Sequence, residues 1–275
     1  MKLLFRRYAA AMAGALALVI ALPAAATSYS TDYTDLWYNP AEDGWGVNLI
    51  QQDDVIFATL FVYDATGYAH WFVASDVEPA SPGNQAVFTG TLYQTTGPYF
   101  GAAWTPRGPA NTAAVGTLTF NFDSANTATM QYSVNGVAVS KSISRQSWRN
   151  NSLAGNFIGG LTAQGSNCGG GVANGPVLIL YQLSVQHAAN QQVSMSLSND
   201  SGQVCTFVGG YLQSGKLGSI SGSWGCTNPA HTINNAGSFT ISNIAVAITG
   251  WNGVFTGSDQ YCTYRGQFGG IRDVI

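Results

Sequence analysis

Apolar and polar positions alternate in short runs through most of this chain, and Gly, Ser, Thr, Asn or Asp interrupts them every 8 to 12 residues. That rhythm is the period-two signature of antiparallel strands joined by tight turns, and it leaves little room for helices. The clearest runs predict strands over 46–51, 55–63 and 68–75. Gln52-Asp53-Asp54 joins the first two, and Asp64-Ala65-Thr66-Gly67 joins the second and third. Aspartate opening and glycine closing the second turn suit a hairpin with a left-handed residue. Further strands are expected near 86–94, 114–122, 127–134 and 137–146, then near 153–163, 177–187, 192–198, 203–212, 217–225, 237–248 and 260–268. Stretches 76–84 and 105–113, rich in Pro, Gly and Ser, read as long loops.

In the run 55–63, Val55, Phe57, Thr59, Phe61 and Tyr63 share one face, and Ile56, Ala58, Leu60 and Val62 share the other. Both faces are apolar, so the strand is expected to be covered on both sides by a second sheet, the rest of a barrel or the other half of the chain. The fold class is all-β: an antiparallel meander forming two β-barrel-like (or sandwich) domains. A lipid-embedded outer-membrane barrel would also alternate. Its competing claim is weakened by the cysteines, the glycine- and asparagine-rich segments and a non-aromatic Ile275.

The N-terminus changes the compartment. Lys2, Arg6 and Arg7 precede the apolar run Ala9–Leu22 and the small-residue box Ala24-Ala25-Ala26. This is the layout of a cleaved signal peptide over 1–26, and its core of about 14 apolar residues falls short of the roughly 20 a membrane helix needs. No later stretch is long enough for a transmembrane helix. The chain is therefore expected to be exported, to the periplasm or the medium, as an acidic N-terminal domain over 27–149 and a cysteine-bearing C-terminal domain over 150–275. The boundary is placed at Arg149-Asn150-Asn151-Ser152, where composition shifts. Thr27–Asn150 carries ten acids and four bases, whereas Asn151–Ile275 carries three of each. Nucleic-acid binding, which needs clustered Lys and Arg, is excluded on that balance.

Cys168, Cys205, Cys226 and Cys262 are even in number and expected to form disulfides in an oxidising compartment. Spacing alone does not fix their connectivity. The preferred pairing is Cys205–Cys226 across one hairpin and Cys168–Cys262 joining the two ends of the half. No CxxC or Cys/His spacing suits zinc, and neither a metal nor a cofactor is expected.

The densest chemistry lies in 37–46: Trp37, Tyr38, Asn39, Pro40, Glu42, Asp43, Gly44, Trp45 and Gly46. Flat rings with polar tips beside an amide and carboxylates suit a sugar or a small aromatic ligand. The same residues would equally shape a turn and plug a barrel end. With His70 and Trp71 on the third meander strand, facing opposite ways, Trp37, Tyr38, Asn39, Glu42 and Trp45 are the candidate ligand-binding set. Glu42 beside Asp43, Asp64 or Asp76 would be the pair for a glycan hydrolase, whose two carboxyls must flank the scissile bond. No nucleophile elbow is present: Gly218-Ser219-Ile220-Ser221-Gly222 has isoleucine at its centre, and His187 and His231 look exposed. Asp53-Asp54 and Asn199-Asp200-Ser201-Gly202 lack the ligand count of an EF-hand calcium loop and read as turns.

Leu36–Leu49 (LWYNPAEDGWGVNL) followed by Ile56–Ser75 (IFATLFVYDATGYAHWFVAS) resembles a segment of uncharacterised exported proteobacterial β proteins with the pattern W-[WY]-N-P-x-E-x-G-W-G, F-V-Y-D-x-x-G, W-[YF]-V. Leu153–Gly160 to Arg265–Val274 looks like the companion portion of those proteins. The resemblance implies export and β structure, and it implies no activity. Trp37-Tyr38-Asn39 is also similar to the opening of avidin- and lipocalin-like barrels, which implies a meander barrel. The expected function is non-catalytic binding of a small molecule, a glycan or an envelope or cell-surface partner. A glycan hydrolase using Glu42 and a structural envelope protein are the alternatives.

Overall fold

A computed structural model describes residues 31–273 apart from 107, 109, 110, 199–201 and 229–230. The expected signal peptide over 1–26 and most of the Asn199–Gly202 turn lie outside the described residues. The described chain forms sixteen antiparallel strands in two closed eight-stranded barrels, each a meander closed on itself. Barrel 1 comprises β1 (Asp35–Tyr38), β2 (Gly46–Gln52), β3 (Val55–Tyr63), β4 (Ala69–Pro79), β5 (Val87–Thr95), β6 (Thr112–Phe122), β7 (Thr127–Val134) and β8 (Val137–Arg145). Barrel 2 comprises β9 (Gly155–Ser166), β10 (Gly175–His187), β11 (Gln192–Ser198), β12 (Val204–Ser214), β13 (Leu217–Asn228), β14 (His231–Ala247), β15 (Gly250–Asp259) and β16 (Thr263–Arg272). The connector 146–154 includes Arg149–Ser152.

Two strands depart from the sequence expectation. β1 is a four-residue strand inside what reads as a turn, and β15 is an additional strand where none is expected. β4 also runs to Pro79, into the expected loop 76–84. The Asp64–Gly67 turn forms as expected, with Gly67 at φ +85° and the Asp64 carboxylate accepting from the N–H groups of Thr66 and Tyr68.

Inward faces build one apolar core per barrel, around Trp37, Leu49, Leu60, Phe88 and Phe120 in barrel 1 and Phe157, Phe207, Ile241, Phe255 and Phe268 in barrel 2. Outward faces mix hydroxylic cross-strand pairs, such as Thr89–Thr119 and Ser221–Thr240 at 2.9 and 3.0 Å, with exposed apolar side chains such as Phe61, Trp71, Leu178 and Leu180. The apolar, filled interiors differ from the polar interior of a lipid-embedded barrel. The outward face of β3 overturns the expectation that it would be covered: Phe57, Phe61 and Tyr63 stand exposed. Closure supplies one lining and leaves the other to solvent.

In barrel 2 the disulfides are Cys205–Cys226, between register partners on β12 and β13, and Cys168–Cys262, tying the β9–β10 loop to the β15–β16 turn. Such bonds form and persist in oxidising compartments. Burial pushes the Tyr211 hydroxyl up to about 12, and burial followed by the Asp259 carboxylate does the same to Tyr264. An acid raised on folding stabilises the native state below its unfolded value, and that stability is lost as pH climbs through the folded value. Barrel 2 is therefore expected to weaken progressively between the ordinary tyrosine value of about 10 and about 12. Denaturant midpoints across that range, with tyrosinate absorbance of the native protein, test this. A flat midpoint would show that both hydroxyls ionise alike folded and unfolded.

The tip of the β12–β13 hairpin sits on the closed end of barrel 1. Lys216 N–H donates to Asp35 Oδ2 at 2.7 Å, Gly215 N–H to Ser147 Oγ at 2.6 Å, and Lys216 Nζ pairs with Asp32 at 2.6 Å. Gly215 is required there: its φ is +58°, and a Cβ would collide with the Asp35 carboxylate.

Candidate functional site

Strands alternate up and down, so barrel 1 has two distinct ends. At the end facing barrel 2, Tyr33 stacks on Phe122 with ring centroids 3.5 Å apart, and Trp37 and Phe88 pack edge-on against Phe122. Trp37 is fully buried, and its indole N–H donates to the Tyr33 carbonyl at 3.0 Å. This aromatic floor seals the barrel. The opposite end carries the β1–β2, β3–β4, β5–β6 and β7–β8 connections and opens into a cavity of about 470 Å³.

The cavity is walled by Val62, Phe72, Val134 and Val139, with His70, Gln94 and Tyr132 supplying polar atoms. His70 Nε2 lies 3.0 Å from Asp64 Oδ2 at the rim. Hydrogen bonds from the Thr66 side chain, then from His70 and the Tyr68 N–H, hold the Asp64 carboxyl far below the usual carboxylate range. Tyr132 is raised above the ordinary tyrosine value by burial. It stays a neutral phenol, able to donate or accept, at physiological pH.

One side of this mouth is made by the 39–45 loop. β1 pairs with β8 only through Trp37↔Arg145 and Tyr38↔Ser144, so above that point β8 has β7 on one side and no strand on the other. The gap is spanned by side chains. Glu42 accepts from Lys141 Nζ at 3.0 and 2.7 Å and from Trp45 Nε1 at 2.9 Å, and Lys141 lies 5.8 Å from the Trp45 ring centroid. The Lys141 hydrogen bonds, with help from Trp45, hold the Glu42 carboxyl below its ordinary value. Asn39 shapes the loop: its side chain accepts from Ala41 N–H at 2.9 Å and its carbonyl from Glu42 N–H at 3.0 Å.

The candidate set read from sequence is therefore divided by the barrel wall. Glu42, Trp45 and His70 border the mouth, Trp37 belongs to the floor, and Asn39 serves its own turn. Tyr38 and Trp71 stand on the outer surface, Trp71 half-exposed beside Phe61. Gln94, Tyr132 and Lys141, absent from the candidate set read from sequence, come from β5, β7 and β8, and Lys141 is 99 residues from its partner Glu42. Only the inward register of those strands could have signalled them. His187 is half-buried rather than exposed, its Nδ1 accepting from Leu153 N–H at 3.3 Å. The His231 side chain lies outside the described residues.

Among the described residues no group of three or more His, Cys, Asp and Glu is gathered that could hold a metal ion, and no helix is long and apolar enough to cross a membrane.

No protein-family model matches the chain, and no curated protein matches it. A solved crystal structure of "a putative outer membrane protein" from Bacteroides fragilis is similar at 15% identity and a TM-score of 0.29, over 87% of this chain and 96% of that one. A likeness at that level carries no argument about fold or function.

Proposed function

We propose that this is an exported, non-catalytic binding protein whose barrel 1 takes a small, mainly apolar ligand at its open mouth. The observation that carries the reading is the cavity of about 470 Å³, apolar in its walls with His70, Gln94 and Tyr132 directed into it. That is the size and polarity of a small-molecule site, with few polar groups to fix orientation. The two disulfides support export, and the signal-peptide layout of residues 1–26 supports passage to the periplasm or medium.

The hydrolase alternative fares worse at Glu42. A catalytic acid needs a raised carboxyl, and the Lys141 ion pair works in the opposite direction. Loss of glycan hydrolysis in a folded Glu42→Gln variant would restore that alternative.

Native mass spectrometry of the protein from its own host is expected to show a bound small molecule, and titration with anilinonaphthalene sulfonate to give a saturable site. Val139→Trp, filling the mouth, is expected to abolish both while leaving the thermal transition in place. Tyr132→Phe is expected to weaken binding about fivefold, the loss of one hydrogen bond. No co-purified molecule, together with unchanged dye binding in Val139→Trp, would sink the proposal.

A further inference from the structure

The outer wall of barrel 1 is two-sided. Along β5–β8 many outward positions are small and hydroxylic, as at Thr89, Thr119, Ser140 and Ser142, whereas along β1–β4 they include Tyr38, Phe57, Phe61 and Trp71. One row of the aromatic side is interrupted. Gly46 is the register partner of Phe61, and Phe61 is the partner of Trp71. Tyr38 stands on the far side of Gly46, one position beyond the Trp37↔Val47 pair. Because Gly46 has no side chain, a trough runs between the Tyr38 and Phe61 rings, whose strands lie two spacings or about 10 Å apart.

The floor of the trough continues along β2 to Asn48. Gln146 and Trp148, from the connector after β8, and Asp43, from the β1–β2 loop, complete it, and its volume is about 610 Å³. Gly46 also has no room for more: a Cβ would lie 2.9 Å from the Trp37 carbonyl oxygen. Asp43, Asn48 and Gln146 line the trough, and among the described residues their side chains make no hydrogen bond. Trp148 is 73% exposed and Phe61 44%.

We propose that this trough binds a neutral oligosaccharide, with pyranose C–H faces stacked on Tyr38, Phe61 and Trp148 and hydroxyls held by Asn48, Gln146 and Asp43. A sugar ring presents an apolar face and a hydroxyl-bearing edge together, and this lining offers rings and planar polar groups together. An apolar ligand would leave the two amides and the carboxylate unpaired at a desolvation cost. An acidic sugar or a phosphate would meet Asp43 and find no cation among the lining residues. The trough and the mouth cavity have no lining residue in common, although the 39–45 loop with Trp45 borders both, and Trp148 and Phe61 belong to the trough alone, so either reading can fail alone.

The test is calorimetric titration of the full mature chain with cellohexaose, chitohexaose and maltohexaose. At least one is expected to bind saturably. Trp148→Ala and Phe61→Ala are each expected to weaken it about tenfold or more, equivalent to about 1.4 kcal/mol, while Trp148→Phe stays within about threefold. Val139→Trp, which blocks only the mouth, is expected to leave saccharide affinity unchanged. Circular dichroism checks that each variant is folded. The proposal is overturned if none of the three sugars binds at up to about 10 mM, a ceiling that would detect contacts worth only about 3 kcal/mol. It is equally overturned if Trp148→Ala and Phe61→Ala bind like the parent, or if Val139→Trp abolishes saccharide binding.

Discussion

Arg145→Ala is expected to destabilise barrel 1 by about 3–5 kcal/mol, the range for breaking a buried ion pair by removing one partner. Arg145 and Asp35 are both buried, with Nη1 and Oδ2 3.0 Å apart. The guanidinium also donates to three main-chain carbonyls, from Nε to Ala125 at 2.6 Å, from Nη1 to Thr34 at 3.1 Å and from Nη2 to Asp32 at 2.6 Å. Its face lies 5.0 Å from the Trp37 ring centroid. Alanine would leave those acceptors without donors and a carboxylate without its counter-charge. Asp35 would still hold the Lys216 N–H, so the damage should reach the junction between the barrels. Arg145→Lys is expected to recover little, since one ammonium cannot serve a planar fork of partners. The double change Arg145→Met with Asp35→Leu is expected to cost less than Arg145→Ala alone, because no buried charge is stranded. Denaturant midpoints, with limited proteolysis of the 146–154 connector, measure both effects. A loss below about 1 kcal/mol for Arg145→Ala would put this pair in the class of surface ion pairs.

Trp37→Ala is expected to cost a similar amount, about 3–5 kcal/mol, by the transfer and cavity terms of an emptied core position. Trp37 has no exposed surface and packs on Tyr33, Phe122 and the Arg145 guanidinium, so the void would open in the floor. Because Trp37 and Arg145 touch, the double variant should lose less than the sum of the two. Whatever fraction stays folded should keep its mouth affinity, since the floor lies at the other end of the barrel from Tyr132 and His70. A folded Trp37→Ala protein with normal stability and no ligand binding would show the floor assignment to be wrong. Trp148→Ala, by contrast, should leave stability almost unchanged, since that ring is exposed.

The hairpins of β2–β4 were legible because each depends on a few neighbouring residues: Asp53 at φ 56° between Gln52 and Val55, and the Asp64 carboxylate with Gly67. β1 was hidden because four residues are too few for an alternation to show, and Pro40 follows at once. β15 was hidden by its glycines. Gly253 and Gly257 face inward beneath Ile241 and Phe255, where their lack of side chain lets large neighbours fill the barrel. In sequence the same glycines read as loop. The candidate set was recognised as a cluster of suitable residue types and misjudged as one site, because adjacent positions on a strand point to opposite faces. Tyr38 lies next to Trp37 in the chain and on the other side of the wall from it.

By itself the sequence determined what local physics controls: strand periodicity, turn residues, an even set of cysteines and the aromatic richness of residues 37–71. Tertiary structure decided which face of each strand is inside, where each sheet closes, and which distant groups meet. Glu42 and Lys141 are 99 residues apart in the chain, and Asp32 and Lys216 are 184 apart. Closure sums the registers of eight successive pairings, so no short window of sequence contains it. The mouth, the floor and the outer trough all follow from that one closure.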